Sequence, residues 1–376
     1  MKRSLIVLAV MLLGVGLYAQ RGAGPSPEQR AALAKQEELE KATPQLQVTE
    51  EVLNLVVPGH TIGEAVGVAK NSKGHLFVFT RSGNAGPVRG ATASQLFEFD
   101  PALKFVKQWG PDNYAGGFAH TVRVDKQDNV WMTDEGTNMV VKFNPQGQVV
   151  MVLGRKPESL DYLERFTERG EKERPEDRYP VGTPGTFNRP TDVTWDTQGN
   201  IFVSDGYNNS RVAKMTKDGT WVKALGTRGA GPNQFNTPHG ITSDAKGNIY
   251  VADRGNRRIQ VFDADGKFLR MIHLNVPYDK KRHPVLGNLG ANPPDETAPW
   301  TICITNGSTQ YLYTTDQEPG RLYKLTLDGK IVGMLGESGR DAKQFNWVHG
   351  IACPSDDVLF VADMNNWRVQ KLILKP

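Results

Sequence analysis

"NTPHGITSDAKGNIYVADRGNRRIQVFDADG", Asn236 to Gly266, decides the fold. It contains "GITS", "IYVAD" and "RIQVF", short runs rich in β-branched and aromatic residues, broken by "DAKGN" and "RGNR". Gly, Asn and Asp at those breaks form tight turns, so the stretch reads as short antiparallel strands. The same order of strand and turn returns along the chain, for example in "HTVRVDKQDNVWMTDEGTNMVVKF" and "HGIACPSDDVLFVADMNNWRVQKLIL". Six copies can be set in register, each with four strands in most cases and roughly 40 to 50 residues long, which predicts an all-β, six-bladed β-propeller. The sixth copy ends after its third strand, at Leu374. "EVLNLVVP", Glu51 to Pro58, is expected to supply the missing outer strand and so close the ring and cover its edges.

What precedes the repeats has a different character. Residues 1–20, "MKRSLIVLAVMLLGVGLYAQ", place Lys2 and Arg3 before an apolar stretch and Ala19 at its end, the pattern of a secretory signal. The expectation is a secreted or periplasmic protein. Without that segment Lys2 and Arg3 are lost and no acid is, so the formal net charge falls from +4 to +2. A balance so weak argues against nucleic acid as a partner, and no later segment approaches the ~20 apolar residues of a membrane span. Residues 21–47 are charged and Ala-rich, and are expected to be a flexible or partly helical tether with its helix from Glu28 to Ala42. The propeller is assigned to residues 48–376, as a monomer. Export permits a disulfide between Cys303 and Cys353, and two free buried thiols fit the sequence equally well.

The first strand of each blade lines the central channel, and its leading residue lies at the channel mouth. In that register the six blades place Val66, His120, Thr191, His239, Trp300 and His349. Histidine occupies alternate blades, ~120° apart around the axis, so a linear pattern becomes a tripod. Three converging histidines with a fourth position free form the ligand set of a catalytic zinc site. The chain's other histidines, His60, His75, His273 and His283, share no such register and read as surface residues.

The turns between second and third strands lie on the same face as the tripod. Two of them depart from their siblings: "FTRSGN" carries Arg81 and "SDGYNN" carries Tyr207. A phenol beside a metal can act as general base, and a guanidinium can bind a carboxylate through two hydrogen bonds. Each also reads as a solvated turn residue. The Asp series Asp134, Asp205, Asp253, Asp316 and Asp363 closes each second strand and is assigned to bonding of turn amides. Three insertions, Arg81 to Ser94, Arg155 to Gly185 and Leu274 to Pro299, are expected to rim the tripod face.

The units built on "GNIYVAD…RRIQVF" resemble NHL repeats over most of residues 60 to 374. Beyond the repeat, "HTVRVDKQDNVWMTDEGTNMVVKF", "LGRKPES", "RPTDVTWDTQGNIFVSDGYNNSRV" and "TPHGI…YVADRGNRRIQVF" resemble peptidyl-α-hydroxyglycine α-amidating lyase, with "VFTRSG" and "VHGIA" extending the likeness. The resemblance implies zinc held by His120, His239 and His349, Tyr207 as the base, and Arg81 in contact with the substrate. It implies cleavage of a small or peptide-derived hydroxyglycine substrate, R-CO-NH-CH(OH)-COOH, to a primary amide and glyoxylate, with no redox cofactor. It also implies a structural calcium whose acidic ligand follows the third histidine, but Gly350 stands there. Trp347 replaces an expected methionine, and Asn188 and Asn208 replace a pair of cysteines. Two other readings share the fold: a non-catalytic propeller that binds a protein or glycan, and a metal-dependent hydrolase or lactonase, which would want acidic ligands at the channel mouth.

Overall fold

The computed structural model describes residues 27–81, 94–111, 113, 115–155, 184–274, 276, 298–316 and 320–375. The signal-like segment and most of the three insertions, with His283, lie outside the described residues. Six four-stranded antiparallel sheets form the blades, five of them from strands consecutive in sequence. Blade four is typical: Pro238–Ser243, Ile249–Asp253, Arg258–Phe262 and Phe268–Ile272 run from channel to rim.

Burial explains why the inner strands read as nearly continuous apolar runs. Second strands such as Ile201–Asp205 and Ile249–Asp253 are buried along their whole length, because a neighbouring blade covers each face. Outer strands such as Trp221–Leu225 are largely exposed, with only Leu225 buried, because no further strand or blade covers the rim. Six apolar clusters follow, one in each gap between neighbouring blades. Phe77, Phe79 and Trp109 of blade one pack with Val122, Met132 and Phe143 of blade two, for instance.

The ring closes as expected in kind but not in register. The strand that completes blade six is Val48–Val52, not Glu51–Pro58, and it pairs antiparallel with Arg368–Leu374 from Val48 opposite Leu374 to Val52 opposite Gln370. Leu53 adds one more bond, donating its N–H to the Val369 carbonyl at 2.9 Å, and Val57 and His60 then form a turn. Strand propensity favours "LNLVV", but the paired positions are set by where the last strand ends.

An α-helix spans Pro27–Ala42, its proline suited to a first helical turn. The segment after it lies along the outer strand of blade five, Ile331–Leu335. Met334 donates to the Pro44 carbonyl and Leu46 donates to the Met334 carbonyl, both at 2.8 Å. Glu40 is buried against Arg321, which also binds Asp316 at 3.1 Å.

The strand-ending aspartates hold the blades' upper turns. Asp205, Asp253 and Asp363 each accept the N–H of an asparagine in the preceding link, at 2.7 to 2.8 Å. Each also pairs with the arginine that opens the next strand, Arg211, Arg258 or Arg368. Asp134 instead bonds Phe118 N–H and Thr137, and burial pushes its carboxyl up to about 6.

Cys303 and Cys353 are bonded, joining the first strand of blade five to the residue that follows the first strand of blade six, across a Cα separation of 6.1 Å. Replacing Cys303 by serine is expected to cost about 2–4 kcal/mol of stability. The readout is the denaturant midpoint, with the slope of the transition rising because the unfolded chain, freed of the crosslink, exposes more surface.

Candidate metal centre

A residue near the start of the first strand escapes the regular ladder in five blades. Register breaks fall at Ala65/Gly67, Ala119/Thr121, Pro238/Ile241, Pro299/Ile302 and Val348/Gly350. Such irregularities re-aim a side chain out of the pleat. Here they let His120, His239 and His349 meet at the channel mouth, with ring centroids 4.6, 4.7 and 5.3 Å apart. One nitrogen from each lies within 4.8 Å of the others, and all three residues are buried.

The blades without histidine turn out to serve the same ring. His120 Nδ1 lies 2.5 Å from the Thr191 carbonyl oxygen, His239 Nδ1 2.9 Å from that of Trp300, and His349 Nδ1 2.9 Å from that of Val66. A carbonyl only accepts, so Nδ1 carries the proton in each ring and Nε2 keeps its lone pair. The six mouth positions thus alternate between an imidazole and the backbone carbonyl that orients it, the support metal-binding histidines require.

Electrostatics favour the neutral rings. Burial, followed by the neighbouring histidines and Arg81, holds His120 well below the ordinary value of 6.5. Burial with His349 and Arg254 does the same for His239, and burial with Arg81 pushes His349 down to about 3. His120 Nε2 is buried with no hydrogen-bond partner. An orphaned lone pair among neutral imidazoles is costly unless a ligand meets it, so the three residues fit a metal ion.

The same test goes against calcium, a cation that takes oxygen ligands. A Cβ at position 350 would lie 2.7 Å from the Val66 carbonyl oxygen and 3.0 Å from Gly67 Cα. No acidic side chain fits there without moving the first strand of blade one.

Around the tripod runs a second ring, one residue past the strand-ending Asp of each second strand or, in blade one, past Thr80. It holds Arg81, Glu135, Gly206, Arg254 and Met364, with the blade-five position outside the described residues. Gly206 brings the next residue, Tyr207, over the histidines: its hydroxyl is 3.5 Å from His239 Nε2 and its ring 5.8 Å from that of His120. Burial, then Glu135, raises the Tyr207 phenol above its ordinary value, while Arg254, Arg81 and Arg189 pull the other way.

Three arginines rest on aromatic faces here, within the ~6 Å of an effective cation–π contact. Arg81 lies over Phe118 at 3.7 Å, Arg189 over Tyr207 at 4.3 Å and Arg254 over Trp300 at 3.8 Å. Their charges are not equally free. Arg189 is paired with buried Glu135, and Arg81 bonds the Ala119 carbonyl at 2.9 Å and Glu64 at 3.3 Å. Arg254 has a buried Nη1 with no partner. Trp300 stacks 4.4 Å from His239 and meets Trp347 edge-on at 5.1 Å. The mouth therefore combines neutral imidazoles, a phenol and guanidinium groups, of which Arg254 keeps an unbonded Nη1, and so suits an anionic ligand.

Residue type alone does not single out Arg254 and Glu135, because they sit in turns that match the repeat. The signal was positional: one residue beyond the strand-ending Asp, the register that also holds Arg81. His75 lies apart, bonded to Glu98 at 2.7 Å, and His60 contacts Gln95.

Gly206 also admits a prediction. A Cβ there would lie 1.9 Å from the carbonyl oxygen of Pro238, the residue before His239. Gly206→Ala is expected to destabilise by about 1–3 kcal/mol, read by thermal or chemical unfolding.

Fold and site together define a six-bladed propeller with NHL-type repeats and a buried three-histidine cluster at one mouth of its channel. The NHL repeat profile matches residues 187–215 and 235–262, in blades three and four. The chain resembles the amidating lyases: it is 26% identical over 303 residues to peptidyl-alpha-hydroxyglycine alpha-amidating lyase 1 of Drosophila melanogaster, covering 77% of this chain and 50% of that protein. It is 31% identical over 186 residues to NHL repeat-containing protein 3 of Mus musculus, covering 47% of each. The chain thus spans about half the length of these relatives. Among solved structures, virginiamycin B lyase from Staphylococcus aureus superposes with a TM-score of 0.55 at 14% identity, covering 88% of this chain and 100% of that one, a likeness of fold alone.

Proposed function

We propose that the protein is an exported, zinc-dependent carbon–nitrogen lyase of the amidating type, cleaving a hydroxyglycine carbinolamide to a primary amide and glyoxylate. One observation carries the reading: three neutral imidazoles present Nε2 toward one point, with the Tyr207 hydroxyl 3.5 Å from one of them. Zinc held by His120, His239 and His349 would supply Lewis acidity toward the substrate's hydroxyl. Arg254, with its free Nη1, and Arg81 bind the substrate carboxylate. Tyr207 takes the hydroxyl proton as the C–O bond becomes a carbonyl and the C–N electron pair leaves on nitrogen. The same proton then passes to that nitrogen, giving the amide. Burial and Glu135 hold the Tyr207 phenol above its ordinary value, Arg254, Arg81 and Arg189 offset part of that, and a zinc ion beside it would supply the further positive charge that a phenolate needs. Trp300 and Trp347 wall the site with apolar surface.

The protein as expressed, loaded with zinc, should release one glyoxylate for each α-hydroxyglycine amide consumed. Bound zinc with no glyoxylate above the uncatalysed rate would remove the lyase and leave a propeller that binds rather than cleaves. No described helix is long and apolar enough to cross a membrane.

A further inference from the structure

Three residues beyond His120 on the same strand, Arg123 reaches across the channel. Its Nε and Nη2 grip both oxygens of Asp192, the former at 2.9 Å. Nη2 also donates to the Ile302 carbonyl at 3.1 Å and Nη1 to the Ile351 carbonyl at 3.3 Å. Four of the five N–H bonds of a guanidinium are thereby used. Asp192 is saturated in turn, accepting Val193 N–H at 2.8 Å and Ile241 N–H at 3.0 Å.

These partners come from five first strands. Arg123 belongs to the strand of His120, Ile241 to that of His239 and Ile351 to that of His349. Asp192 adjoins Thr191, whose carbonyl orients His120, and Ile302 lies on the strand of Trp300, whose carbonyl orients His239. On its other side Arg123 lines a cavity of about 880 Å³ at the far mouth, formed by the turns that end the first strands. The ion pair therefore stands between that cavity and the histidines.

Inward carbonyls and a carboxylate converging on one point are what a bound divalent cation would also gather. We propose that Arg123 is a built-in cation that does this work in the chain: with Asp192 it clamps the three histidine-bearing strands together, and the protein takes up no calcium in the channel. The fork geometry matters as well as the charge, since a guanidinium can serve a carboxylate and two carbonyls at once. Arg123 and Asp192 are positioning residues; neither touches substrate in the proposed reaction. The inference does not depend on which reaction the histidines support.

The test compares calcium uptake, melting temperature and zinc affinity by chelator competition. The wild-type protein should melt at the same temperature with millimolar calcium or with a calcium chelator. Arg123→Met should melt lower and bind zinc about ten-fold to a hundred-fold more weakly, the range for loss of a group that orients ligands. Adding Asp192→Asn to Arg123→Met should recover part of the melting temperature, because the single variant strands a buried carboxylate. Should Arg123→Met not fold, Arg123→Lys keeps the charge, loses the fork and must still weaken zinc binding. The proposal is overturned by stoichiometric calcium in the wild-type protein that Asp192→Asn abolishes. It is equally overturned by an Arg123→Met protein with wild-type melting and zinc affinity.

Discussion

His239→Ala is expected to give a folded propeller that no longer retains metal through gel filtration and has no measurable lyase turnover. The substitution removes one of three nitrogens and leaves His120 and His349 as the remaining imidazoles of the cluster. The loss in metal affinity should exceed the ~10–100-fold that follows from removing an orienting partner alone. It also removes the imidazole beside the Tyr207 hydroxyl and the aromatic neighbour of the Trp300 ring. The fold should survive, because the blade's strands pair through backbone bonds and its apolar cluster does not include the histidine. Metal analysis with far-ultraviolet circular dichroism checks both halves. His75→Ala is the control: that residue pairs with Glu98 away from the tripod and should leave metal content unchanged.

Tyr207→Phe is expected to lower kcat by about 10²- to 10⁴-fold while metal content stays at one ion per chain. The ring remains, so the stacking of Arg189 and the edge contact with His120 persist. Only the hydroxyl goes, and with it the group that takes and returns the proton. Because the phenol is no ligand in this arrangement, its loss separates proton transfer from metal binding. Steady-state kinetics on zinc-loaded protein decides the matter, and an unchanged kcat would assign the base elsewhere.

Much of the architecture was legible because its determinants are local. "GNIYVADRGNRRIQVF" announces its strands by alternation and its turns by Gly and Asn, and six copies in register placed the three histidines on one axis. Backbone partners left no such mark. The carbonyls of Val66, Thr191 and Trp300 orient the imidazoles whatever side chains those residues carry. Long-range ion pairs were hidden for a different reason: Arg321 meets Glu40 across 281 residues, and Arg123 reads as an ordinary polar residue of a strand until the channel is closed. The ring-closing strand was misplaced by a few residues because propensity marks an apolar run, whereas register is set by the partner. Arg254 matches its repeat, so its own turn does not set it apart, and only its position in the ring around the tripod marks it as functional.

X-ray absorption on the zinc-loaded protein tests the central claim most directly. The tripod predicts three imidazole nitrogens at about 2.0–2.1 Å with one water or hydroxide oxygen completing a tetrahedron. Fewer than three imidazoles, or the same spectrum after His120→Ala, His239→Ala and His349→Ala are combined, would contradict it.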